Sequence, residues 1–121
     1  MNITRSNYNG VLLLRIDGSI DSVSSDELKN TLLKLLSEGE KFFILDFSRV
    51  NYISSSGLGS LVIAAKMLTI RKGFLAVCSL NDHVKKVFDI VRLDNFINVY
   101  ETLQEAGEAV TQKLPKNSEA K

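Results

Sequence analysis

One cysteine, one histidine and one proline in 121 residues already exclude several classes of protein. A lone Cys78 forms no internal disulfide, and its place in the apolar run FLAVCSL reads as a buried thiol. A lone His83 cannot build a histidine metal site, and no His, Cys and Asp cluster has metal-ligand spacing. It reads instead as a solvent-exposed residue in the first turn of a helix. Excess charge is missing too. The net charge is +1 with acids and bases interspersed, whereas a nucleic-acid binder would show a clustered basic face. No stretch approaches the roughly 20 apolar residues that a membrane span needs. The opening MNITRSNYNG lacks the apolar region of a signal peptide. These absences predict a cytoplasmic protein that engages neither nucleic acid nor membrane.

What is present suffices for one folded domain: 45% of the residues are apolar, and disorder is expected only at the ends. Residues 2–7 and 11–16 read as strands joined at Asn9-Gly10, a dipeptide suited to a primed hairpin turn. SVSSDELKNTLLKLLSEG reads as a helix. Ser24 and Glu27 have capping-box spacing, Leu28, Leu32, Leu35 and Leu36 form a stripe, and Gly39 ends it. KFFILDF is a buried strand ending at Asp46-Phe47, and Asp46 is expected to accept hydrogen bonds from the following turn. A helix over 56–71, the strand FLAVCSL, a short helix over 82–92 with Val84, Val87, Phe88 and Val91 inward, and the strand FINVY follow. Thr102 and Glu105 cap a final helix. The alternation predicts an α/β domain over residues 1–112, a mixed sheet with about four helices, and a flexible tail over 113–121 that holds the only proline.

The stretch VNYISSSGLGSL, residues 50–61, sets three serines and two glycines at a strand-to-helix junction. A phosphate-cradling loop would need a longer glycine spacing and a lysine, and Gly57 and Gly59 supply neither. A nucleophile elbow around Ser55 would need glycine where Ile53 stands, and a dinucleotide fingerprint would need it at Val62. A helix cap explains one serine, because its oxygen accepts a free N–H of the first turn. It does not explain three.

DFSRVNYISSSGLGSL resembles the signature of STAS domains (sulfate transporter and anti-sigma factor antagonist), particularly the small stand-alone bacterial anti-sigma factor antagonists. GSIDSVSSDEL resembles the family's stretch before the first helix, and the order of elements agrees over residues 3–112. The resemblance implies a single STAS-like domain that is a kinase substrate and binding module, with no cofactor of its own. It places the phosphorylated hydroxyl on Ser56, with Ser55 as the alternative, and it places the family's aspartate on Ser54, a departure from the pattern. The implied partners are an anti-sigma factor with a histidine-kinase-like ATP-binding fold, which also acts as the serine kinase, and a serine phosphatase. Unphosphorylated, the protein would bind the anti-sigma factor and release a sigma factor. The alternative function is a phosphorylation-independent scaffold subunit of a signalling or lipid-transport assembly.

At about 100° per residue, Leu58, Leu61, Val62, Ala65, Leu68 and Thr69 share the face expected to meet the core. Ser56, Ser60, Ile63, Met67 and Ile70 fall on the opposite face. That second stripe is either a docking surface gated by Ser56 or a face covered by another element of the same domain. The candidate partner contacts are therefore Asp21, Ser54, Ser55, Gly57, Ser60, Ile63 and Met67, with the domain a monomer or weak homodimer. Asp21 has a second reading as a turn or cap residue.

Overall fold

In the computed structural model, which describes residues 1–114, two strands open the chain: β1 (Asn2–Tyr8) and β2 (Val11–Ile20). They pair antiparallel through a turn in which Asn9 and Gly10 both take positive φ, as a primed hairpin requires. Three crossovers follow: α1 (Ser24–Ser37) to β3 (Phe42–Ile53), α2 (Ser55–Ile70) to β4 (Phe74–Cys78), and α3 (Asp82–Ile90) with a 3₁₀ turn at Leu93–Asn95 to β5 (Asn98–Tyr100). A last helix, α4 (Leu103–Lys113), closes the domain. It reaches one residue beyond the expected domain end at 112. Residues 115–121 of the expected tail lie outside the described residues.

The sheet order is β1-β2-β3-β4-β5, with β2 to β5 parallel. Right-handed crossovers that all step in one direction must land on one face of a sheet. The packing agrees: Leu14, Ile16, Phe43, Phe47 and Val77 join residues of α1, α2 and α3 in one core. The alternate side chains Val11, Leu13, Ile44, Ala76 and Cys78 face α4 through Ala106 and Val110. Both faces are thus apolar, which is why VLLLRI and FFIL read as unbroken apolar runs. Burial pushes the Cys78 thiol up to about 11, so it stays protonated. Among the described residues, no helix is long and apolar enough to cross a membrane.

Several expected boundaries move. β2 runs four residues beyond 16, to Ile20, and β3 runs past Phe47 to Ile53. Beyond Cys78, where β4 stops, the two continue as a ribbon with register shifts between Arg15 and Asp17 and between Gly18 and Ser19. Asn81 ties this ribbon to α3: its side-chain amide donates to Val50 O (3.0 Å) and its oxygen accepts from Val84 N (2.8 Å). Asp46 therefore sits inside β3 rather than at its end. It is buried, pairs with Arg15 at 3.1 Å, and accepts from Ser48 N at 2.9 Å. Thr69, expected inward, is exposed and bonds back to Ala65 O, while Ala64 takes its place in the core. Val91 is 47% exposed because α3 ends at Ile90 and Arg92 enters the left-handed region (φ 56°), which turns the chain. β5 keeps only three residues of FINVY, so Phe96 lies outside it.

Candidate functional site

Consecutive parallel βα units set their helix starts side by side at the carboxyl edge of the sheet. Here that edge brings the serines after β3 against the serines after β2. Ser54 leaves β3 in extended backbone (φ −84°, ψ 170°) and caps α2, its Oγ accepting from Gly57 N at 3.1 Å. Its own N–H donates to Ile20 O at 2.8 Å, which fixes the cap to the end of β2. Gly57 is buried beneath it. A Cβ there would lie 2.8 Å from Ile53 Cγ1 and 2.9 Å from Ile20 Cγ2, so glycine is what lets the first turn of α2 rest on the two strand ends. This corrects the expectation of Gly57 as a partner contact: its role is internal packing.

Ser55 and Ser56 are both exposed at the first two positions of α2. Ser56 Oγ lies 3.0 Å from Ser54 Oγ and 3.2 Å from Ser25 Oγ on α1. Ser25 is 1% exposed and also faces Ser22 O at 3.0 Å. Ser60, expected on the outward stripe, is 5% exposed, with Oγ directed at Ser25 O (3.2 Å) and Ser56 O (3.0 Å). It is corrected to a contact between α1 and α2, because the two helices run parallel and meet closely at their amino ends. Their carboxyl ends are tied as well, by Arg71 Nη1 donating to Leu36 O at 2.8 Å. The rest of the stripe divides. Ile63 is 44% exposed, Ile70 is exposed, and Met67 is half-buried against the core.

Asp21 is exposed and caps α1. Its Oδ1 accepts from Ser24 N (2.8 Å) and Val23 N (3.1 Å), and Ser24 Oγ in return accepts from Asp21 N (2.9 Å). The capping box is thus Asp21–Ser24 rather than Ser24–Glu27. A carboxylate is the stronger acceptor, and the first helical amides lie within its reach. The Ser24 backbone N–H, and then the Ser24 hydroxyl, hold the Asp21 carboxyl below its ordinary value. A carboxyl whose folded pKa is depressed adds stability above its unfolded pKa and loses it as pH falls through the folded value. Asp21→Ala is therefore expected to lower the urea midpoint at neutral pH and to shrink the difference from wild type in acid; an equal difference at every pH would contradict the cap.

Ser25 is the residue of the candidate site that the sequence reading missed. Its signal was the second serine cluster, SVSS, standing at the start of the preceding parallel unit.

The chain matches the STAS domain family over residues 2–106. It is 31% identical over 116 residues to BtrV of Bordetella bronchiseptica, provisionally named an anti-sigma factor antagonist, covering 96% of this chain and all of that one. A crystal structure of a provisional anti-sigma factor antagonist from Thermotoga maritima superposes with TM-score 0.84 at 26% identity, over 90% of this chain and 94% of the other. The phosphorylated form of the Bacillus cell fate determinant SpoIIAA shares the fold, with TM-score 0.69 at 19% identity over 90% and 99% of the two chains. The protein belongs to the STAS domain family, in its anti-sigma factor antagonist branch. The five-stranded mixed sheet with four helices is the fold expected from the sequence.

Proposed function

We propose that this protein is an anti-sigma factor antagonist switched by phosphorylation of Ser56. The observation that carries the reading is the place of Ser56: an exposed serine in the first turn of α2, on the helix face that continues through Ile63 two turns later. Unphosphorylated, the protein binds a cytoplasmic anti-sigma factor with a histidine-kinase-like ATP-binding fold and so frees a sigma factor. The same partner phosphorylates Ser56, and a serine phosphatase reverses the modification. The protein itself catalyses nothing.

A phosphoserine carries about −1.5 to −2 charges at neutral pH. The amino end of a helix offers roughly half a positive charge and unpaired amides, so α2 tolerates the group. Ser54 takes Gly57 N–H with its hydroxyl and Leu58 N–H with its carbonyl, which leaves the amides of Ser55 and Ser56 to meet an anion. Because α2 survives, the phosphate acts at the interface, where its charge must be desolvated beside an apolar partner. Ser54 in place of the family's aspartate keeps a neutral hydroxyl 3.0 Å from Ser56 Oγ. That removes a like charge from beside the phosphate. Asp21, Ser54 and Ser55 flank Ser56 on the same edge and complete the contact region with Ile63 and the outer part of Met67.

Capture from cell extract with wild-type, Ser56→Ala and Ser56→Glu baits tests the switch. Wild type and Ser56→Ala are expected to retain an ATP-binding anti-sigma factor, and Ser56→Glu to lose it. Equal retention by all three would favour the phosphorylation-independent scaffold, the reading that the missing aspartate at Ser54 supports.

A further inference from the structure

We propose that Ser25 is a positioning residue for Ser56, a latch that holds the acceptor hydroxyl against α1 and must release it before phosphoryl transfer. The proposal rests on the reading of Ser56 as the phosphorylated serine. Ser25 Oγ, 1% exposed, stands 3.2 Å from Ser56 Oγ on the inner side, and Ser54 Oγ stands 3.0 Å from it on the other. Two hydroxyls thus converge on the oxygen that must act as nucleophile. In the transfer, a lone pair of Ser56 Oγ attacks the terminal phosphorus of a nucleoside triphosphate. The Oγ–P bond forms, the bond to the bridging oxygen breaks, the nucleoside diphosphate departs, and the hydroxyl proton passes to a base of the kinase. A phosphoryl group on Oγ pointing toward Ser25 would enter a packed seam. The reactive rotamer is therefore one turned away from α1.

The seam is built to permit that turn. Ser25 has a second acceptor, Ser22 O at 3.0 Å, and Ser54 keeps Gly57 N at 3.1 Å. When Ser56 swings out, no buried hydroxyl is left without a partner, so opening costs about two ordinary hydrogen bonds, those to Ser25 and Ser54, rather than a full desolvation penalty. Ser60 bonds only to the carbonyls of Ser25 and Ser56, so it holds the helices together without touching the Ser56 hydroxyl. The two serines thus separate latch from seam.

The test measures Hα–Hβ couplings of Ser56 by NMR in wild type, Ser25→Ala and Ser60→Ala. The rate of phosphate incorporation at Ser56 by the partner kinase is measured alongside, with mass spectrometry locating the phosphate. Wild type and Ser60→Ala are expected to show the couplings of a single rotamer. Ser25→Ala should show averaged couplings and a kcat/KM for phosphorylation about five-fold higher, the Boltzmann factor of one hydrogen bond. Ser25→Cys, a somewhat larger side chain with only a weak donor, should give the same release if the alanine variant does not fold. Unchanged Ser56 couplings in a folded Ser25 variant, equal changes in the Ser60 variant, or released couplings without a faster rate would each overturn the latch. Absence of phosphate at Ser56 in every variant would instead refute the switch itself, while the couplings still decide whether Ser25 holds Ser56.

Discussion

An Ile63→Asp variant is expected to fold as wild type does and to bind its anti-sigma factor about a hundredfold more weakly. Ile63 is 44% exposed on α2, two turns from Ser56, so a carboxylate there reaches water in the free protein. Substitutions at such sites usually change stability by no more than about 0.5 kcal/mol. In a complex the same carboxylate would be taken out of water beside apolar groups, and the loss of a central anchor costs about 2 kcal/mol or more. A hundredfold change corresponds to about 2.7 kcal/mol, a size that only a desolvated position reaches. Met67 would be a poorer probe, because its half-buried side chain packs on the core and a charge there would also destabilise the fold. Ile90→Asp, at an exposed residue on α3, is the control. Titration of purified partners, with circular dichroism to confirm folding, decides the matter; equal affinity of both variants would place docking elsewhere on the molecule.

The largest effect on stability is expected from Phe47→Ala. Phe47 is fully buried in β3 and meets Phe88 of α3 edge-on, with ring centroids 6.1 Å apart and planes at 78°. Removing a buried phenylalanine costs about 3–5 kcal/mol, from lost transfer energy plus the cavity it leaves. A domain of this size has only about 5–15 kcal/mol of stability in total. At about 3–5 °C per kcal/mol, the thermal midpoint should fall by about 10 °C or more. Phe88→Ala should cost a comparable amount, and the double variant less than the two together, because the rings share one contact. A Phe47→Ala midpoint within a few degrees of wild type would mean that α3 closes over the gap.

Elements with strong local signals were readable in the sequence. Asn9-Gly10 supplied its own turn chemistry, the leucine stripe of α1 faces the core as its spacing requires, and the Thr102 cap needs only its first-turn amide. Features set by other elements were not readable. SRVN looks like a turn because it is polar, yet it pairs with the end of β2 as an edge ribbon, held through Asn81 from α3. A helical wheel placed Ser60 outward because it treats α2 as resting on the sheet alone. The parallel approach of α1 covers that side and turns two hydroxyls inward. The same neighbour hid Ser25, whose importance appears only when two distant serine clusters meet. Asp21 was legible as a cap residue, since its side chain needs nothing beyond its own turn.

The strand order carries one further consequence. Open α/β sheets hold small molecules in the crevice where adjacent crossovers diverge to opposite faces. In this sheet the order never reverses, so α1, α2 and α3 share one face and no such crevice divides the strand tips. On the proposed reading the nucleotide arrives bound to a second macromolecule that brings its own cleft, and what this edge offers in exchange is a serine on a ledge.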